Sequence, residues 1–285
     1  MRHAVSVCVL GAWAWLAGGC GGVEAVLEIA DTAATGGAAS TEVTGPLNGS
    51  EGCGKSGQGI PDTIDVNGQE RTFVLDVPDA YDPTRAYPLV TAWHGLGGDG
   101  ALARSYFGMR DQVGDDAIVV YPDGLYAHGG TGWDLTADGR DAAFFDALTE
   151  RLFAELCIDE ERVFATGHSY GGYMSNLLGC ARADTLAAIA PVAGGPTWWA
   201  GCNDRVAAWV THGSGDTVVD LSEGEATRDQ WVSTNQCDTS AAPTQPDPCV
   251  AFEGCARDTH WCLHDGGHEW PSFAAGAIWQ FFEAQ

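Results

Sequence analysis

Hydrophobic residues along the chain keep two rhythms. Short β-branched and aromatic runs at 70–77, 89–93, 118–121, 163–166, 188–192, 208–212 and 260–264 are too brief for helices and are predicted as strands. Between them the helical period takes over: in 141–156, Phe144, Leu148, Leu152 and Leu156 form one stripe, and 272–283 repeats it with Phe273, Ala277 and Phe281. Strands separated by helices predict crossover units and a mostly parallel central sheet with helices on both faces, a single α/β domain. No internal repeat interrupts the alternation. On such a sheet reactive groups gather on loops beyond the carboxyl ends of the strands.

The stretch 162–183 carries the strongest chemistry. A strand-like run enters the corner Gly167-His168-Ser169-Tyr170-Gly171, and a helix-forming tail leaves it. The corner fits G-x-S-x-G, a weak signal by itself in a glycine-rich chain. Strand before and helix after give it weight, because together they force the serine into a strained turn with its hydroxyl above the sheet. A serine hydroxyl is a poor nucleophile near neutral pH, so it needs a base, and the base needs an acid to orient it. The strand at 208–212 runs into Gly213-Ser214-Gly215-Asp216, and the last strand into Asp265-Gly266-Gly267-His268, which puts Asp216 and His268 on one edge. Ser169, Asp216, His268 is the chain order of α/β-hydrolase triads. The expected oxyanion donors are the backbone N–H groups of Tyr170, next after the serine, and of Leu96, in the loop after the strand at 89–93.

Each role has rivals. Asp220 and Asp265 are acidic and close by, but Asp216 lies nearest behind its strand. His94 and His212 each precede a glycine at a strand end, where packing or support of the site is the expected role. His260, Cys262, His264 and His268 crowd together, yet alternate strand residues face opposite ways and an oxidised Cys262 would not bind zinc, so no metal site is expected.

The termini and the charge bound the remaining possibilities. Residues 1–20 have the build of an export signal: Arg2, an apolar run at 4–16 too short to span a bilayer, and a small-residue end, Leu16-Ala17-Gly18-Gly19-Cys20. That end resembles a bacterial lipobox, with Leu16 one place too early, so a lipid anchor at Cys20 is expected. Residues 21–52, rich in Gly, Ala, Thr and Glu, read as a flexible tether before a domain at 53–285. Residues 49–56 fit the P-loop formula letter for letter, but no buried strand precedes them and no helix follows, so nucleotide is not expected. With 39 acidic residues against 13 basic ones, and Lys55 the only lysine, the surface repels nucleic acid and anionic lipid.

His94-Gly95, Tyr121-Pro122-Asp123-Gly124, residues 139–145, the serine corner, residues 190–194, residues 213–219 and Gly266-Gly267-His268-Glu269-Trp270-Pro271 together resemble the secreted polyhydroxybutyrate depolymerase and feruloyl esterase group of α/β-hydrolases. The resemblance covers about 53–285. It implies a disulfide-stabilised α/β-hydrolase fold and a serine esterase with the triad Ser169–Asp216–His268 and neither metal nor organic cofactor. The spacing of Cys249, Cys255 and Cys262 ahead of the Gly-Gly-His is closer to the feruloyl esterase side. The expected substrate is therefore a feruloyl or related ester on plant polysaccharide, with a hydroxyalkanoate polyester as the alternative and a silent binding protein as the outsider. A monomer is expected.

Eight cysteines remain once Cys8 and Cys20 are set aside, an even number that fits export. A strand rising to the corner and a helix descending from it bring Cys157 and Cys180 to the lower edge, so these two are expected to pair. The final hairpin, together with the resemblance, favours Cys237–Cys255 and Cys249–Cys262, and elimination leaves Cys53–Cys202. Trp133, Trp198, Trp199 and Trp270 lie on segments near the reactive edge and are candidates for stacking on substrate rings, with core packing as the competing role.

Overall fold

A computed structural model describes residues 48–196, 202 and 204–285. The signal-like segment 1–20 with Cys20, most of the expected tether, and Trp198 and Trp199 lie outside the described residues.

In chain order the first elements are β1 (Thr63–Val66), β2 (Gln69–Asp76), β3 (Tyr87–Trp93), α1 (Gly100–Phe107), α2 (Met109–Val113) and β4 (Ile118–Pro122). A small hairpin, β5 (Leu125–Ala127) and β6 (Gly130–Gly132), precedes α3 (Arg140–Glu155), β7 (Ile158–His168), α4 (Tyr170–Ala181), β8 (Ala188–Val192) and β9 (Ala207–Gly213). The chain ends with α5 (Leu221–Thr234), β10 (Ala241–Pro243), β11 (Cys249–Phe252), β12 (Thr259–His264) and α6 (Ala274–Glu283). Ten strands join in one sheet, ordered β1-β2-β4-β3-β7-β8-β9-β12-β11-β10. The six from β4 to β12 run parallel, and the outer strands on each side are antiparallel.

Strand alternation builds two cores, one on each face. Leu89 and Trp93 of β3, Ile118 and Val120 of β4, and Val163 and Ala165 of β7 pack with Phe144, Leu148 and Leu152 of α3 and Leu177 of α4. The intervening Val90, Ala92, Val119 and Phe164 pack on the other face with Phe107 of α1 and Ile278, Trp279 and Phe282 of α6. Both faces are dry, which is why these strands read as continuous apolar runs rather than as alternating ones. Among the described residues no helix is long and apolar enough to cross a membrane.

Two expected disulfides are corrected. Cys157 bonds Cys53, and Cys180 bonds Cys202, in place of Cys157–Cys180 and Cys53–Cys202. The reason is rise per residue: twelve strand positions below Ser169 carry Cys157 up to roughly 40 Å away, whereas eleven helical positions carry Cys180 only about 17 Å. The two half-cystines therefore sit at different depths. Cys237–Cys255 and Cys249–Cys262 are bonded, the latter between directly opposed residues of β11 and β12.

The domain boundary at 53 is corrected as well. Gly49 bridges Asp159, Ser50 N–H donates to Ile158 O at 2.8 Å, and Gly52 N–H donates to Phe153 O at 2.7 Å, so residues 48–52 belong to the folded domain. The P-loop look-alike is part of this clamp. A Cβ on Gly52 would lie 2.2 Å from Leu156 N, so the segment is packed directly against the end of α3.

Candidate active site

Ser169 sits between the last residue of β7 and the first of α4, at φ 57° and ψ −119°. A non-glycine residue in this region costs about 1–3 kcal/mol and persists only where its surroundings hold it. Here Ser169 N–H donates to Val192 O at 2.9 Å and Ser169 O accepts from Gly172 N–H at 2.8 Å. The flanking glycines permit the approach: a Cβ on Gly171 would lie 1.8 Å from Trp93 O, and one on Gly167 2.4 Å from Gly171 O. Strand and helix thus meet more closely than any side chain allows, and the serine is turned outward.

His268, on the loop after β12, reaches both partners. Its Nε2 is 2.8 Å from Ser169 Oγ and its Nδ1 is 2.7 Å from Asp216 Oδ2. The other carboxylate oxygen of Asp216 accepts from Val218 N–H at 2.8 Å and Val219 N–H at 2.9 Å. Burial works to raise the Asp216 pKa, but hydrogen bonds from His268, Val218 and Val219 outweigh it and hold the carboxyl below its usual range. An ionised Asp216 fixes the proton on Nδ1, which leaves the Nε2 lone pair facing the serine hydroxyl. Asp220 occupies the N-cap position of α5 and Asp265 points to solvent; His268 is hydrogen-bonded to neither.

His212 and His94 brace the loops around the site. His212 is fully buried, its Nε2 3.0 Å from Val219 O and 3.6 Å from Asp216 Oδ2, beneath the loop that carries the carboxylate. His94 Nε2 accepts from Gly124 N–H at 2.9 Å, so its Nδ1–H donates to Gly95 O at 2.7 Å. The loop containing Leu96 is then braced by the small hairpin: Gly97 N–H donates to Thr131 O at 2.7 Å, and Thr131 Oγ1 donates to Gly98 O at 2.5 Å. Tyr170 N–H, in the first turn of α4, has no intrahelical acceptor and lies beside the serine. Among the described residues no group of His, Cys, Asp and Glu is arranged to hold a metal, and Cys262 is tied up in its disulfide.

A cleft of about 270 Å³ opens at Ser169, between the Leu96 loop and α1, whose Leu102, Tyr106 and Phe107 form its wall. His168 closes its floor, with its ring 4.8 Å from that of His268 and 5.6 Å from Tyr106. Burial, and then the neighbouring His268, push the His168 pKa down to about 3, so the cleft keeps a neutral imidazole. Sequence reasoning missed this wall. The signal was the short helix after the Leu96 loop, capped by Asp99, with Leu102, Ala103, Tyr106 and Phe107 on one flank.

Two tryptophan candidates are corrected. Trp133 is fully buried, edge-on to Trp93 at 4.8 Å, and donates its indole N–H to His94 O at 2.8 Å. Trp270 is buried and stacked on Phe107 at 4.3 Å, behind the cleft wall. Both indoles are buried against aromatic neighbours and line no part of the cleft.

A ten-stranded, mostly parallel sheet with a serine corner at the end of its central strand defines an α/β-hydrolase. Residues 139–209, which span α3 to β9 and include that corner, match the prolyl oligopeptidase family. The chain is 35% identical to feruloyl esterase D of Neurospora crassa, over 82% of this chain and 89% of that one. It is 34% identical to feruloyl esterase C of Emericella nidulans, over 84% and 93%. Acetyl xylan esterase from Aspergillus awamori superimposes with a TM-score of 0.65 at 16% identity, covering 78% of this chain and 98% of that one. The chain belongs to the feruloyl esterase family of α/β-hydrolases and is a carboxylic ester hydrolase.

Proposed function

We propose that the chain hydrolyses feruloyl or related esters carried on plant polysaccharide. Ser169 attacks the ester carbonyl while His268 Nε2 takes its proton, and the N–H groups of Tyr170 and Leu96 bind the oxyanion. The imidazolium, stabilised by ionised Asp216, then protonates the leaving alkoxide, and an acyl-enzyme remains on Ser169 Oγ. Water, deprotonated by His268, releases the acid and restores the serine. The observation that carries this reading is the unbroken chain Ser169–His268–Asp216, at 2.8 and 2.7 Å, facing a cleft of about 270 Å³. That volume is just under the roughly 300–1,000 Å³ of small-ligand pockets, room for one aromatic acyl group.

The test is release of ferulate from methyl ferulate, set against clearing of a polyhydroxybutyrate suspension. Ferulate release without clearing is the expected result, and clearing without ferulate release would overturn it. Four disulfides suit an oxidising compartment, so export on residues 1–20 belongs to the same proposal, with Cys20 as a lipid attachment point. Cys20→Ser should then move the enzyme from the membrane fraction to the soluble one. The enzyme is proposed to act as a monomer.

A further inference from the structure

The five large hydrophobic side chains exposed among the described residues are Leu96, Leu102, Tyr106, Tyr126 and Val218. Four of them have a place at the candidate active site. Leu96 is on the oxyanion loop, Leu102 and Tyr106 are on the cleft wall, and Val218 donates its N–H to Asp216. Tyr126 alone touches neither the cleft nor the triad, and it is the most exposed of the five, at 74%.

Its setting is a hairpin with a two-residue turn, His128-Gly129, both at positive φ. On the β6 strand Gly130 and Gly132 present bare backbone. A Cβ on Gly132 would lie 2.8 Å from the Tyr170 ring, and one on Gly130 3.2 Å from Gly97, so the two glycines let β6 lie close against the segments that bear the proposed oxyanion donors. Tyr126 alternates to the other face, across from Thr131. The hairpin is held without help from the Tyr126 ring: Thr131 bonds Gly98 O, Arg140 donates to Tyr126 O at 3.2 Å, and the His128 ring stands edge-on to Tyr170 at 5.9 Å. A flat aromatic face is therefore carried to the rim of the site and left in solvent.

We propose that Tyr126 is a specificity-determining residue, a stacking platform for a neutral sugar ring on the alcohol side of the ester. The inference rests on the feruloyl ester reading. An ester has two halves, and the cleft accommodates only one ring-sized group; the other half must lie on the open rim. A sugar presents C–H bonds along a ring face, which tyrosine covers well, and the net charge of −26 disfavours an acidic polymer in the same place.

The experiment compares kcat/KM on methyl ferulate with kcat/KM on a feruloylated arabinoxylan oligosaccharide, for the wild type, Tyr126→Ala and Tyr126→Phe. Tyr126→Ala should lose roughly three- to tenfold on the oligosaccharide, chiefly through KM, with methyl ferulate unchanged. Tyr126→Phe, which keeps the ring, should restore the oligosaccharide rate. Equal losses on both substrates, or no loss on either, would overturn the proposal. So would a wild type that cleaves methyl ferulate and leaves the oligosaccharide intact. A wild type inert on both would instead count against the feruloyl reading beneath it.

Discussion

The two ends of β7 face one task, holding a chain reversal in place, and solve it with different bonds. At the carboxyl end the strained Ser169 is fixed by hydrogen bonds to Val192 and Gly172 and by glycine-close packing, and its side chain joins a hydrogen-bonded chain to His268 and Asp216. At the amino end Ser50 Oγ donates to Leu156 O and accepts from Ile158 N–H, Tyr81 OH accepts from Cys157 N–H, and the Cys53–Cys157 disulfide locks the turn. Protons can move through the first arrangement, whereas the second is inert and covalent. Reactivity sits where bonds can be exchanged, and the covalent lock sits at the opposite end, the base of the strand.

Loss of the proposed nucleophile should break the comparison most severely. Ser169→Ala is expected to lower kcat by about 10⁵- to 10⁶-fold while the circular dichroism melting curve stays near that of the wild type. Near-full activity in that variant would sink the mechanism. Asp216→Asn keeps the shape of the loop but no longer favours the Nδ1–H tautomer of His268, and a fall of about 10⁴ in kcat is expected. A fall of less than tenfold would move the orienting role to another acid. At the base the readout inverts: Cys53→Ala with Cys157→Ala opens a crosslink between residues 104 apart and should cost about 2–5 kcal/mol in urea unfolding. The kcat of the folded fraction should be unchanged; a matching loss of kcat would mean that the two ends are coupled.

What could be read in the sequence follows the same division. The upper end was legible because its chemistry demands fixed residue types at fixed places: G-x-S-x-G at a strand end, Asp216 and His268 behind two later strands. Hydrophobic runs located the central strands to within five residues, β8 without error and β7 the worst, because Asp159, Glu160 and Glu161 leave no apolar signal in its lower half. The helix α5 escaped because the buried residues of its stripe are Gly224, Thr227 and Trp231, of which only one is hydrophobic in the ordinary sense. The base was misread because pairing of cysteines depends on depth, and depth depends on where each element begins. Tryptophans misled for a related reason: position on a loop does not tell which way an indole turns, and Trp133 and Trp270 turn inward.

The last expected effect concerns His168, next to Ser169 on the reactive side but buried like the base. Its folded pKa of about 3 lies well under the ordinary 6.5, first because of burial and then because of His268. Below pH 6.5 the unfolded chain binds a proton at His168 that the folded chain refuses. This residue's contribution to stability is therefore present in full above about pH 6.5 and is lost as pH falls toward 3, at about 1.4 kcal/mol per pH unit. Burial lowers the pKa of His94, His260 and His264 too, and each adds a loss of the same sign. Urea unfolding between pH 7 and pH 4 should accordingly give a steadily falling stability, and His168→Gln should flatten the fall by about one proton's worth. If His168→Gln kept the full wild-type slope, His168 would already carry its proton in the fold, and the cleft would hold a cation where a neutral imidazole is expected.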